Sequence, residues 1–215
     1  MEARGVVSDF DRIASLTPRA LLHPHEAWLL RQIPRCDDLL DIGCGLGLAA
    51  SIASQRATRV TGIDLSPTMI DRARREFGER ATFEVADLYD YLAGRPSSFD
   101  CIVSLATLHH VDAPTALPLI AAALRSGGTL LILDILDRNG ILNLPMNAIA
   151  AAIAVSRRAI RGEWLSRELR AAWAEHGRGE RYETAATLPQ LAAILPGARI
   201  RRHLIWRYSL IWTKA

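Results

Sequence analysis

Leu39-Leu40-Asp41-Ile42-Gly43-Cys44-Gly45-Leu46-Gly47 is an apolar run that ends in an acid and then meets three alternating glycines. The pattern reads as a strand feeding a tight loop and then a helix. Glycine has no β-carbon, so the loop can take positive φ and lie close to a ligand or to the next helix. The G-x-G-x-G spacing departs from the G-x-G-x-x-G of dinucleotide sites, and the first helical turn after the loop is expected to aim free N–H groups at an anionic group. Further on, Val60-Thr61-Gly62-Ile63-Asp64 is a second apolar run ending in an acid. A βαβ unit places a carboxylate there for a ribose diol. Asp64 would accept from both hydroxyls through charge-assisted bonds. A helix-capping or surface Asp is the alternative.

The same figure repeats. Ala81 to Asp87 is a third strand ending in an acid, Ser98 to Leu105 a fourth, and Thr129 to Asp134 a fifth. The fourth runs into Ala106-Thr107-Leu108-His109-His110-Val111, which puts two imidazoles just past a strand's carboxyl end, where open α/β sheets hold their ligands. A histidine satisfied by a backbone carbonyl is the alternative for each. Helices are expected at Leu46–Gln55, at Thr68–Phe77 behind the Ser66-Pro67 cap, and from Ala113 to about Arg125, ended by Ser126-Gly127-Gly128. Met69, Ile70 and Ala73 mark the buried side of the second. Met69 reads first as core, although it begins close to Asp64. Regular alternation of strand and helix implies parallel strands joined by right-handed crossovers.

The flanks are less regular. Residues 1–34 are expected to form an N-terminal helical cap, with Thr17-Pro18 starting a helix, and residues 35–215 the main domain. His23 and His25 stand two apart around Pro24, a spacing that does not face one helical side, and no metal site is expected. From about 135 to 186 the rhythm breaks, which predicts a helical lid insertion carrying Trp164, Trp173 and Tyr182. Within it, Asn147 to Val155 is apolar and alanine-rich, expected as a buried helix, with contact to lipid as the alternative. Glu163 to His176 reads as another helix. Thr187 to Leu195 is a last short helix. Arg199–Trp206 and Tyr208–Thr213 then look like two strands, joined at Trp206-Arg207 without a turn signal. Arg199, Arg201, Arg202 and Arg207 read as a solvated face, with nucleic acid or another anionic partner as the alternative.

Composition narrows the classes. With 215 residues, 50% hydrophobic and 23% charged, the chain can bury a full α/β core. A net charge of +3, spread along the chain, does not by itself indicate nucleic acid. Cys36, Cys44 and Cys101 are odd in number and far apart, which argues against disulfides and a cysteine zinc site, and fits a reducing cytoplasm. The N-terminus shows no apolar signal core, and no run reaches the roughly 18 apolar residues of a membrane span. Lys214 is the only lysine. A P-loop lysine, a Schiff-base lysine in the core and the Tyr-x-x-x-Lys pair of short-chain dehydrogenases are thereby excluded, since Leu210 stands four before Lys214.

Five motifs in order carry a resemblance. Asp41 to Gly47, Gly62-Ile-Asp-Leu-Ser66, Ala86-Asp87-Leu88, Phe99 to Ser104 with Leu108-His-His-Val111, and Leu124 to Leu133 resemble the successive motifs of class I S-adenosylmethionine-dependent methyltransferases. Within that family the chain looks like the small, single-domain members acting on small molecules. The resemblance implies a seven-stranded Rossmann-like, mostly parallel sheet with an antiparallel C-terminal strand and helices on both faces. It implies S-adenosylmethionine as cofactor, S-adenosylhomocysteine as product and no metal. Gly43, Cys44 and Gly45 would lie against the methionine part, Asp41 would balance its ammonium directly or through water, and Asp64 with Leu65 would meet the ribose. Met69 would stand near the ribose, Asp87 and Leu88 around the adenine, and Leu105 and Ala106 near the reacting methyl. His110 and His109 are the candidate bases for a methyl transfer to oxygen, nitrogen or carbon of a small apolar or aromatic molecule. RNA or protein methylation and a cyclisation using the same cofactor remain alternatives within the class. An NAD-dependent dehydrogenase and a noncatalytic cofactor-binding protein are the alternatives outside it. Peripheral membrane contact and oligomeric state stay open.

Overall fold

In the computed structural model, residues 3–18, 20–139, 143–161, 166–177 and 182–215 are described. The elements run α1 (Ala3–Leu16), α2 (Pro24–Leu30), β1 (Cys36–Ile42), α3 (Leu48–Ala53), β2 (Ala57–Asp64), α4 (Pro67–Phe77), β3 (Thr82–Val85), α5 (Leu88–Ala93) and β4 (Phe99–Leu105). A single 3-10 turn (Leu108–His110) follows, then α6 (Ala113–Ala123), β5 (Leu124–Ile135), α7 (Leu144–Arg161), α8 (Arg167–His176), α9 (Leu188–Ile194), β6 (Arg199–His203) and β7 (Arg207–Thr213).

The strands form one sheet in the order β3-β2-β1-β4-β5-β7-β6. Strands β1 to β5 pair in parallel, and β7 runs antiparallel to both β5 and β6. Both faces are covered, so the central strands are apolar on both sides. Leu40, Ile102, Leu130 and Ile132 join the core under α5, α6 and α9. Their alternates Leu39, Cys101, Val103, Leu131 and Leu133 join the core under α2, α3 and α4. This is the period of two expected of a strand. Ser66 caps α4 by accepting from Met69 N–H at 3.1 Å. Lys214, the lone lysine, donates to Leu124 O at 2.7 Å and is a structural group.

Four expectations need correction. Thr17-Pro18 ends α1 instead of starting a helix: Thr17 N–H and its hydroxyl both donate to Ile13 O. In the N-terminal region the helix begun by a proline is α2, at Pro24, where Glu26 Oε2 accepts from His23 N–H at 2.8 Å. The Ser126-Gly127-Gly128 segment does not lie beyond a long α6. That helix stops at Ala123, and β5 starts at once, with Leu124 opposite Phe99 and Thr129 opposite Cys101. Residues 125–128 bulge out, and Gly127 supplies φ +78° for the bend. Helix α7 is not buried: all of its described side chains are exposed or half-buried. Finally, the strand pair turns at Leu204–Trp206, where Ile205 and Trp206 both take positive φ, and Arg207 is half-buried with one guanidinium nitrogen out of solvent, so it does not belong to the solvated face. Trp164 and the expected helix start at Glu163 lie outside the described residues.

Candidate active site

Strand β1 has β2 on one side and β4 on the other, so the chain leaves their carboxyl ends in opposite directions. A crevice opens at such a switch point. Here it is a cavity of about 420 Å³ whose floor is made by strand ends: Ile42 closes β1, Asp64 closes β2 and Leu105 closes β4. Gly43, Gly45, Leu65, Met69, Asp87, Leu88 and His110 also line it.

The glycine loop is shaped by close contact. A β-carbon on Gly43 would sit 2.1 Å from Thr107 Oγ1, so the β1 loop and the β4 loop touch only because Gly43 has none. At Gly45, with φ +51°, a β-carbon would meet nothing within 4 Å. That position faces the open cavity. Free N–H groups are expected in the first turn of α3, and the glycine loop before it keeps its own donors inside the protein. Gly43 and Cys44 N–H donate to Ile63 O, Gly47 N–H donates to Cys44 O, and Gly45 N–H donates to Asp64 Oδ2 at 2.9 Å. The loop uses these donors internally.

Asp64 ties the site together. Besides Gly45, it accepts from Ser66 N–H at 2.9 Å through Oδ1. Burial in the cavity wall nevertheless pushes its carboxyl above the usual range. Asp87 caps α5, with Oδ1 accepting from Tyr89 N–H at 2.7 Å, and still reaches the cavity. Asp41 lies behind the wall, fully buried, with Oδ2 lacking a hydrogen-bond partner. Burial, and then the charge of Asp64, push its carboxyl up to about 7. Cys44 is also behind the wall, and burial raises its thiol well above normal, so it is no nucleophile.

The two histidines diverge. His109 stands beside His110 just behind the cavity lining and makes a 2.6 Å contact from Nδ1 to Asp134 Oδ1, while its backbone N–H donates to Asp134 Oδ2 at 2.8 Å. Both side chains are almost fully buried. Asp134 Oδ1 also accepts from Ile135 N–H, and the fully buried Tyr208 stands opposite Asp134 in the β5–β7 pairing. His110 lines the cavity, with ring centroids 3.9 Å from His109 and 5.1 Å from His176. Burial first, then those two imidazoles, hold it down to about 3.

Sequence reasoning missed several wall residues. Phe10 on α1 meets the His110 ring edge-on at 5.3 Å; Trp173, expected in the lid, does reach in from α8. Thr107, Val111 and Asp112 come with the β4 loop. Asp134 carried a signal, since it is a strand-ending acid like Asp41, Asp64 and Asp87. Ala106, beside the cavity, holds φ +54°, an uncommon conformation for a residue with a β-carbon.

The fold and the strand-end cavity define a Rossmann-like cofactor-binding enzyme. Residues 40–132 match a family model described as a methyltransferase domain. Over 188 residues, covering 81% of this chain and 85% of the relative, the chain is 31% identical to an uncharacterized methyltransferase of Mycobacterium tuberculosis. It is 36% identical over 103 residues to the ubiquinone biosynthesis O-methyltransferase of Xanthomonas euvesicatoria pv. vesicatoria, covering 46% of this chain and 43% of that protein. Among solved structures, the DhpI complex with S-adenosylhomocysteine superposes with a TM-score of 0.68 at 18% identity, over 99% of this chain and 97% of that one. The chain belongs to the class I S-adenosylmethionine-dependent methyltransferases.

Proposed function

We propose that the protein methylates a protic group, a hydroxyl before an amine, on a small uncharged aromatic or apolar molecule. The observation that carries this reading is the charge of the cavity lining. Asp64, Asp87 and Asp112 face it, no arginine or lysine lines it among the described residues, and Phe10 and Trp173 supply aromatic surface. Such a wall repels phosphate and carboxylate groups and favours a planar neutral molecule. The same lining disfavours nucleic acid, and the internally bonded glycine loop disfavours a dinucleotide pyrophosphate. Similarity to a relative named as an O-methyltransferase supports oxygen as the acceptor atom.

The residues suit the cofactor. Gly45 leaves room where a side chain would fill the cavity, next to Gly43. Asp64 accepts from the ribose hydroxyls with its remaining lone pairs, Leu65 and Met69 pack beside them, and Asp87 and Leu88 flank the adenine. Asp41 offers its unpartnered Oδ2 to the ammonium, directly or through water, and Cys44 backs the loop. Leu105 and Ala106 stand near the reacting methyl. When bound, S-adenosylmethionine supplies a methyl activated by its sulfonium. The protein aligns the acceptor for in-line attack, and that alignment lowers the barrier.

His109 acts as the base. Asp134 holds its Nδ1–H and leaves Nε2 to take the proton, the arrangement of a base fixed by a carboxylate. His110, held down to about 3, stays neutral near pH 7 and serves as wall. The test is turnover with S-adenosylmethionine on matched pairs of acceptors: neutral phenols and aliphatic alcohols, each with its phosphorylated or carboxylated counterpart. Methylation of the neutral members, read as added methyl mass, is expected. Turnover confined to the anionic members, or to RNA, overturns the reading.

A further inference from the structure

Helix α7 is an apolar element without a core. Its alanine-rich sequence favours the helix in itself, and 18 residues suffice to sustain one. Yet Leu144 is 58% exposed, Ile149 49% and Val155 61%, and none of its described side chains is buried. Exposed apolar surface on one element marks an interaction face. The helix also carries Arg157, Arg158 and Arg161 in its last turns and no acid. This one element therefore holds a net charge of +3, as much as the whole chain.

We propose that α7 docks on the surface of an anionic lipid bilayer, its apolar residues entering the headgroup boundary and its arginine-rich end drawn to acidic lipid. Apolar area combined with positive charge is the signature of an interfacial helix. Among the described residues no helix is long and apolar enough to cross a membrane, so α7 lies on the bilayer. A second copy of the chain is the poorer occupant: two such helices repel, and neither holds an acid to pair with the other's arginines. The inference is independent of the acceptor's identity.

Flotation of the full-length protein with two kinds of vesicle tests it: phosphatidylcholine alone, and an equal mixture with phosphatidylglycerol. The protein floats with the anionic vesicles only, and raising the ionic strength from about 0.1 M to 0.5 M releases it. The double variant Ile149→Glu, Val155→Glu loses about tenfold in bound fraction, because acids replace inserted apolar groups. Neither residue lines the cavity, so S-adenosylmethionine binding and circular dichroism of the variant match the parent and show that it is folded. No flotation at low salt, equal flotation with neutral vesicles, or an unchanged double variant overturns the proposal. Dimerisation through α7 without vesicle binding does so in favour of self-association.

Discussion

The two walls of the cavity are held in place by different means. The wall proposed for the cofactor consists of strand ends, and each of its floor residues closes a strand that is paired on both sides. The opposite wall is assembled from Phe10, His110 and Trp173, on a helix, a 3-10 turn and a second helix that are far apart in the chain. Side chains join α1 and α8 of this wall: a small buried cluster of Ile13, Ala14, Leu169 and Ala172, an exposed Arg12–Glu175 ion pair at 3.1 Å, and Phe10 against His176 at 4.5 Å. An exposed pair of this kind contributes about 0.2–1 kcal/mol. The first wall is therefore a rigid template. The second is adjustable, which suits the side of an enzyme that chooses among acceptors.

The largest expected effect is on the template. Asp64→Ala removes a charged acceptor from the ribose and unties the Gly45 and Ser66 N–H groups, so cofactor affinity falls about 10²–10⁴-fold, at roughly 1.5–3 kcal/mol for each of two charge-assisted bonds. Calorimetric titration with S-adenosylhomocysteine measures it. Parent-like affinity would end the assignment of Asp64.

Next comes the junction between the walls. Asp134→Asn releases the His109 ring and lowers kcat about 10²–10⁴-fold while cofactor affinity stays within twofold or so. His110→Asn changes kcat only about threefold if the roles are as assigned. A reversal of these two results would make His110 the base. On the adjustable wall, Trp173→Ala raises KM for the acceptor about tenfold with little change in cofactor affinity, the scale of one lost aromatic contact.

The smallest effects are in pH dependence, and the walls differ in sign. His110 titrates near 3 when folded against about 6.5 unfolded, so the unfolded chain binds more protons between these values, and stability is lost as pH falls through that window. Asp41 behaves oppositely. It keeps its proton up to about 7 when folded, so stability falls as pH rises from about 4 to 7. Thermal melts should show Asp41→Asn raising Tm at pH 8, by an amount on the order of 1–2 kcal/mol of relieved charge burial, and weakening cofactor binding. His110→Asn should flatten the acid limb. A parent-like melt for both variants would show that neither group is buried as described.

The template was legible because its signals are local. Leu39 to Gly47 and Val60 to Asp64 each state a strand, its end and its acid within a few residues, and the glycine positions with positive φ follow from the same stretch. Local signals also misled. Thr17-Pro18 looks like a helix start, but a proline just beyond a helix end is equally common, and only the Thr17 bonds to Ile13 decide. Ser126-Gly127-Gly128 looks like a terminator, yet its residues form a bulge because β4 pairs on either side of them. The apolar composition of α7 predicted burial, since a sequence records hydrophobicity and not what lies opposite.

From the sequence by itself came the α/β class, the order of the motifs, the methyltransferase family and most of the strand-end residues that line the cavity. These depend on backbone geometry and on spacings of a few residues, which any chain with this pattern shares. Only the tertiary structure decided that Asp134 holds His109, that Phe10 and Trp173 face one cavity, that Asp41 stands behind it and that α7 finds no core. Those are meetings of residues distant in the chain. They depend on how elements pack, and no local pattern encodes them.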